Sequence, residues 1–129
     1  MVEFELTDLL SDYNMITDVP GPPAAPEVSN VQSTSCRVRY QLPIDEGDGP
    51  VTGYQVQLQM DREQSEWVSV GEAPTANLDR IVEHLQPMSR YRFRVSAENR
   101  FGFGDYGPPS QFITTDNSVC NFFSNLKTT

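Results

Sequence analysis

The sequence predicts an all-β protein, and two alternating segments together with its turn residues indicate this class. Between residues 54 and 60, every second residue is apolar and the residues between them are glutamines. Between residues 90 and 97, apolar residues alternate with three arginines and a serine. A period of two over such lengths is typical of a strand that buries one face. Ten prolines and eight glycines fit short strands joined by turns better than a helix bundle.

Seven segments carry a strand signal, and turn residues separate them. The most evident turn is Pro43–Pro50, which contains two prolines, two glycines and three acidic residues. The expected fold is an immunoglobulin-like antiparallel β-sandwich of seven strands. In chain order, the strands are expected around Val28–Val31, Cys36–Tyr40, Tyr54–Met60, Trp67–Val70, Leu78–Leu85, Tyr91–Ala97 and Ser110–Thr114.

The start of the sixth segment carries a feature specific to β-sandwiches. Leu85, Pro87 and Tyr91 have the spacing of a tyrosine corner. In this arrangement a Tyr near the start of a strand folds its hydroxyl back to upstream backbone. Asn99, followed by two glycines, is expected to end the strand in a loop.

Charge and cysteine content limit the classes of partner and compartment. The net charge of −9 argues against nucleic acid or an anionic membrane as the main partner. Cys36 and Cys120 lie too far apart in the sequence to suggest a disulfide framework, so a reduced compartment is expected. No stretch approaches the ~20 apolar residues of a membrane span, and the acidic N-terminus lacks the basic region of a signal peptide.

Composition shifts predict four regions. Residues 1–19 are acidic and are expected to form a flexible extension, with a docking segment or the last strand of a preceding module as alternatives. Residues 20–25 are expected to form a proline-rich, semi-rigid linker, with a ligand for SH3 or WW modules as the alternative. Residues 26–116 are the expected domain, and residues 117–129 a flexible tail.

Four motifs in order resemble a fibronectin type III domain over roughly residues 20–115. They are PGPPAAPEVSNV from Pro20, PIDEGDGPVTGYQVQLQ from Pro43, the pair Trp67 and Val70, and LQPMSRYRFRVSAENRFGFG from Leu85. The run from Asp18 to Pro23 and the one from Ala97 to Gly102 resemble the intracellular muscle branch of titin, twitchin and myosin-binding protein C. This resemblance implies a cytoplasmic sarcomeric or cytoskeletal module.

Two residues depart from the family pattern. Tyr40 occupies a core position where the family usually has Trp, and a buried Tyr hydroxyl needs a hydrogen-bond partner. Arg80 falls on an expected inward position two residues before Val82. Either the strand is shifted in register, or Arg80 extends its charged end to the sheet edge.

No catalytic, cofactor-binding or metal site is expected, and the chain is not expected to be an enzyme or to take a small-molecule substrate. His84 is the single histidine, and no cluster with metal-ligand spacing surrounds it. Asp45, Glu46 and Asp48 form the best acidic group, which is interpreted as a solvated turn, with a weak cation site as the alternative.

The predicted protein-binding residues lie on the outward face of two neighbouring strands and on the following loop. The arginines of this face could pair with a partner's carboxylates, and Arg92 or Arg94 could stack on Trp67. The alternative is an ordinary solvated sheet face. The predicted residues are Gln55, Gln57, Gln59, Arg90, Arg92, Arg94, Phe101, Phe103 and Tyr106.

Three functions remain open at this point. The resemblance favours a non-catalytic structural and protein-interaction module that docks on or spaces along myosin thick filaments. Its expected partners are myosin or other filament proteins and neighbouring immunoglobulin or type III modules. The first alternative is a module of an extracellular adhesion molecule or receptor. The second is a regulatory module beside a kinase, as in the giant muscle kinases.

Overall fold

The computed structural model describes residues 18–117, which contain eight strands. None of the described residues belongs to a helix long and apolar enough to cross a membrane. The strands are β1 (Glu27–Ser29), β2 (Cys36–Arg39), β3 (Gly53–Met60), β4 (Val68–Thr75), β5 (Asp79–Val82), β6 (Arg90–Asn99), β7 (Gly102–Phe103) and β8 (Ile113–Thr114).

The strands form two antiparallel sheets. The smaller sheet has the order β1-β2-β5, and the larger has the order β4-β3-β6-β7, with β8 also paired to β6. β7 and β8 pair with opposite ends of β6. Between them, the amides of Gly104, Gly107 and Ser110 donate to the β6 carbonyls of Ala97, Val95 and Phe93 at 2.7–3.0 Å. Residues 102–114 therefore run along β6 for most of its length.

The core lies between the sheets and consists of the inward rows that the alternation predicts. In β6 the inward residues Tyr91, Phe93, Val95 and Ala97 are all buried. Each lies opposite an inward residue of β3, since the two strands pair without interruption over eight positions. The remaining buried apolar side chains of this core are Cys36, Val38, Tyr40, Tyr54, Val56, Val82 and Leu85.

The β-sandwich prediction is confirmed, while several strand bounds differ from it. β4 continues to Thr75 although its prediction ended at Val70, because the pairing with β3 resumes at Tyr54 beyond an irregularity. Gly71, with φ of +81°, lies at this irregularity. β5 is shorter than the predicted Leu78–Leu85, and β7 is an additional short strand. A bulge interrupts the alternation of apolar and polar residues, so the sequence pattern does not predict that a strand continues beyond it.

The structure shows the hydrogen-bond partner of the Tyr40 hydroxyl and the position of the Arg80 side chain. The buried hydroxyl of Tyr40 donates to the carbonyl of Asn77 at 2.8 Å. Arg80 lies opposite Val38, so β5 is not shifted in register. Its guanidinium instead reaches the edge of β4 and donates to the carbonyls of Val70 at 3.3 Å and Ala73 at 3.0 Å. Arg80 therefore faces inward but carries its charge to the sheet edge.

The tyrosine corner is present. The amide of Gln86 donates to the hydroxyl of Tyr91 at 2.9 Å. This bond ties the connection before β6 to the first inward residue of that strand, as the spacing of Leu85, Pro87 and Tyr91 predicts.

The described part of the proline-rich segment lies along the sandwich. Pro20, Pro23 and Pro26 are buried. A Cβ added to Gly104 or to Gly107 would lie 1.8 Å from the carbonyl oxygen of Pro20 or Pro23, respectively. Glycine at these two positions is what allows the segment to pack so closely. The division of the chain at residues 20–25 stays a prediction, and the expectations for residues 1–17 and 118–129 lie outside the described residues.

Candidate functional site: an arginine–aromatic ladder on the larger sheet

The outward face of β3 and β6 brings the predicted glutamines and arginines into direct pairs. Gln57 lies opposite Arg94, and Gln59 lies opposite Arg92. This register follows from the inward rows, because neighbouring residues of a strand point to opposite faces. Gln55 lies opposite Ser96 rather than an arginine.

Three aromatic rings alternate with the three arginines of β6. The Cζ atom of Arg94 lies 4.4 Å from the ring centroid of Tyr106 and 4.2 Å from that of Trp67. The Cζ atom of Arg92 lies 5.4 Å from the Trp67 centroid and 4.9 Å from the Phe112 centroid.

Arg90 completes the series, with its Cζ atom 4.9 Å from the Phe112 centroid. All these distances are within the ~6 Å over which a cation is attracted to a ring face. We call the six residues Tyr106, Arg94, Trp67, Arg92, Phe112 and Arg90 the arginine–aromatic ladder.

The rings come from segments on both sides of β6. Trp67 immediately precedes β4, on the far side of β3, whereas Tyr106 and Phe112 lie in the segment that runs along the other edge of β6. Stacking on Trp67 was expected for Arg92 or Arg94, and both arginines make this contact. Phe112 was missed, although its position next to the inward-packed Ile113 could have indicated that it faces outward.

Glutamine amides orient two of the guanidinium groups. The Nε and Nη2 atoms of Arg94 donate to Oε1 of Gln57 at 2.9 and 2.8 Å. The Nε atom of Arg92 donates to Oε1 of Gln59 at 2.9 Å. These acceptors are neutral, so they fix the orientation of the guanidinium groups without neutralising their charge.

The charge of the ladder is only partly compensated within the domain. Arg90 forms an ion pair with Asp61. Within residues 18–117, no carboxylate lies within ion-pairing distance of Arg92 or Arg94. Burial raises the pKa of the Tyr106 hydroxyl, while the nearby Arg94 lowers it. The net effect is a raised pKa, so this ring stays uncharged in neutral solution.

The predicted loop aromatics do not all belong to the ladder. Tyr106 does, whereas Phe101 and Phe103 lie near the Asn99 end of β6 and are 47% and 43% exposed. The Cζ atom of Arg100 lies 4.7 Å from the Phe101 centroid. The predicted set therefore separates into the stacked face and an exposed pair of rings beside it.

Asn99 holds the loop that carries these rings, and sequence reasoning assigned it no such role. Its side chain is buried, and Nδ2 donates to the carbonyls of Asp18 at 2.9 Å and Glu46 at 3.0 Å. Its Oδ1 atom accepts a hydrogen bond from the amide of Phe101 at 2.8 Å. Because Asn99 continues the inward row of β6, the alternation indicates its burial but not its partners.

The other groups considered for chemistry have local roles or form no cluster. In the acidic turn, the Asp45 carboxylate accepts a hydrogen bond from the amide of Gly47, and the Glu46 carboxylate accepts one from Val51. Within residues 18–117, no group of three or more His, Cys, Asp or Glu residues is placed to hold a metal ion.

The two antiparallel sheets and the tyrosine corner define an immunoglobulin-like β-sandwich domain. Residues 21–113 match the model of the family described as fibronectin type III domain, and the chain belongs to this family.

Relatives include both muscle and adhesion proteins. Cardiac-type myosin-binding protein C of Mus musculus is 31% identical over 96 residues, which cover 74% of this chain and 8% of that protein. Contactin-1a of Danio rerio is 35% identical over 101 residues, which cover 74% of this chain and 10% of that protein. The chain thus spans a tenth or less of the length of these relatives.

Among solved structures, domains A168–A170 of titin resemble this chain closely in fold. The TM-score is 0.72 at 31% identity, and the match covers 78% of this chain and 33% of that chain. The comparisons thus establish a type III module that is similar to modules of muscle and of adhesion proteins.

Proposed function

We propose that this chain is a non-catalytic interaction module whose arginine–aromatic ladder binds carboxylates of a protein partner. The supporting observation is the state of Arg92 and Arg94, which are held between rings and carry no compensating carboxylate within residues 18–117. An arginine whose side chain is already ordered loses little conformational entropy when it binds. Its planar group matches a carboxylate through two parallel hydrogen bonds.

The exposed rings of Phe101 and Phe103 extend the proposed surface. Aromatic and arginine side chains are the types enriched where binding energy concentrates in protein interfaces. The hydrogen bonds of Asn99 hold the backbone beneath these rings, so their placement requires little ordering on binding.

The proposed parent is a cytoplasmic sarcomeric or cytoskeletal protein, in which the module docks on or spaces along myosin thick filaments. The likeness to cardiac-type myosin-binding protein C and to titin domains supports this proposal. So does the resemblance of the segment from Asp18 to Pro23 to the joining segments of that branch.

The second candidate function is a module of an extracellular adhesion molecule, which the 35% identity with contactin-1a favours. The parent transcript separates the two candidates. An encoded signal peptide and glycosylation sequons upstream would support the adhesion protein, whereas an array of intracellular modules would support the filament protein.

Co-sedimentation with purified myosin filaments tests both the ladder and the partner. We expect the chain to pellet with filaments and the variant Arg92→Gln with Arg94→Gln to remain in the supernatant. The matched control is Arg39→Gln with Lys127→Gln, which also removes two positive charges and changes no residue of the ladder. Thermal unfolding confirms that every variant is folded at the assay temperature.

Each outcome has a definite meaning. Loss of pelleting in the ladder variant alone supports the proposed surface. Equal pelleting of the two variants rejects the ladder as the binding surface, and no pelleting of the unaltered chain rejects the thick filament as partner.

A further inference from the structure

A groove with an apolar floor and polar walls opens at the end of the sandwich where β3 turns into β4. Within the inward row of β3, Tyr54 and Val56 are almost completely buried, whereas Leu58 and Met60 are only half-buried. Val68, which pairs with Leu58 across the sheet, is 55% exposed. The inward row of β3 therefore extends past the buried core, and its last two apolar side chains are partly exposed to solvent.

The groove is large enough for a side chain of a partner. Its volume is about 550 Å³, and the half-buried apolar residues line it together with parts of Leu85 and Tyr91. Pockets that bind small ligands commonly have volumes of ~300–1,000 Å³. A single aromatic or large aliphatic side chain fits within this space.

The rim of the groove is acidic. Glu63 and Glu66 lie on the β3–β4 connection, and Glu83 lies on the wall that follows β5. Among the described residues of the lining, Arg62 is the only Lys or Arg. Within residues 18–117, none of these three carboxylates forms an ion pair. The rim thus carries an excess of negative charge around an apolar floor, on a protein whose net charge is −9.

We propose that this groove is a second interaction site, which takes an apolar side chain flanked by lysines or arginines on a partner protein. The apolar floor removes the anchoring side chain from water, and the flanking cations lie against the carboxylates of the rim. The arginine–aromatic ladder, in contrast, is proposed to bind carboxylates, so it takes an acidic partner segment. The two surfaces therefore allow the module to contact an acidic and a basic protein segment at different places.

Titration of the isotope-labelled full chain with the peptide Gly-Lys-Lys-Phe-Lys-Lys-Gly tests the proposal, with chemical shifts as the measurement. We expect the largest amide shifts at Leu58, Met60 and Val68. Replacing the Phe of the peptide by Gly is expected to weaken binding about tenfold, since the apolar contact is lost. Replacing its lysines by glutamates is expected to abolish binding, and added salt to weaken it.

Variants of the chain are expected to act in opposite directions. Glu63→Gln with Glu66→Gln is expected to weaken peptide binding about fivefold, because exposed ion pairs are individually weak. Arg62→Gln removes the opposing charge and is expected to strengthen binding about twofold. Val68→Lys places a cation within the groove and is expected to abolish binding, while its position at an exposed strand end preserves the fold.

Three results would overturn the proposal. The first is equal binding of the peptide that lacks Phe, since the apolar floor would then be irrelevant. The second is a set of shifts centred on the acidic turn at residues 45–48 instead of the groove. The third is a tenfold gain in peptide affinity on substituting Phe122→Ala with Phe123→Ala, which would assign the groove to the chain's own residues 118–129.

Discussion

The two faces of β6 differ in how their residues find partners. The inward row packs against other apolar residues, and Phe93 is completely buried. In the outward row, Arg92 and Arg94 each lie between two rings from distant segments, and Arg90 lies against the ring of Phe112. An apolar side chain can pack against any apolar neighbour of suitable size, whereas a guanidinium needs specific acceptors and ring faces. The inward row thus specifies the fold, and the outward row carries the candidate site.

The largest expected effect is on the inward row. Phe93→Ala leaves a cavity in the centre of the core and is expected to lower the free energy of unfolding by ~3–5 kcal/mol. Chemical denaturation followed by Trp67 fluorescence measures this loss. A loss below 1 kcal/mol would contradict the central position of Phe93 in the core.

Asn99 tests the polar end of the same row. Asn99→Ala leaves the carbonyls of Asp18 and Glu46 and the amide of Phe101 without their side-chain partner. Unpaired buried groups are costly, and we expect a loss of ~2–3 kcal/mol in the free energy of unfolding.

Hydrogen exchange measures whether the Asn99 effect is local. Faster exchange at Gly47 and Phe101 is expected, with unchanged protection in β2 under conditions where local opening dominates. Uniform acceleration over the domain would indicate that Asn99 acts on global stability alone.

The outward row is tested by a double-mutant cycle between Arg94 and Trp67. Their stacking is expected to contribute a coupling energy of ~0.5–1 kcal/mol to the free energy of unfolding, since the pair is partly exposed. Denaturation of Arg94→Gln, Trp67→Leu and the double variant, followed by circular dichroism, supplies the cycle. A control cycle between Arg39 and Trp67 is expected to give a coupling energy of zero. A coupling energy of zero for Arg94 and Trp67 as well would show that their stacking does not stabilise the fold.

A further effect, which is absent at neutral pH, concerns the inward residue Cys36. Burial raises the pKa of its thiol from 9.0 to about 11. The thiol therefore ionises first in the unfolded chain, and its stabilising contribution is complete below pH 9 and is lost as the pH rises toward about 11. Raised tyrosine pKa values, including that of Tyr54, act in the same direction.

Urea denaturation between pH 8 and pH 10.5 isolates the cysteine contribution. In a Cys120→Ser background, the chain with Cys36 is expected to lose more stability with pH than the chain with Cys36→Ala. Parallel pH profiles of the two chains would contradict a role for the buried thiol.

Several elements of the site follow from the sequence because they depend on local alternation. The period of two correctly places Gln57 and Arg94 on the outward face and Tyr91 on the inward face. It also supports the expectation that Trp67 approaches the arginines, since its segment was expected beside the strand that pairs with β6. The binding role of these residues stays a prediction.

Other parts of the site arise from contacts between distant segments. Phe112 enters the ladder because residues 102–114 follow β6, and Asn99 reaches two carbonyls that lie 53 and 81 residues earlier in the chain. The groove beside Val68 exists because β3 and β4 extend beyond the part of the core in which the inward side chains are fully buried. The alternation within one segment does not indicate where that strand ends relative to another strand.

By itself, the sequence determined the fold class, the inward rows, the tyrosine corner and the family resemblance, because each depends on residue type at short, regular spacing. Only the tertiary structure decided that Arg92 and Arg94 each lie between two aromatic rings, that Arg80 reaches the β4 edge, and that an acidic rim surrounds a groove with an apolar floor. Alternation specifies the face on which a side chain lies. The packing of the sheets and loops specifies which groups it meets there.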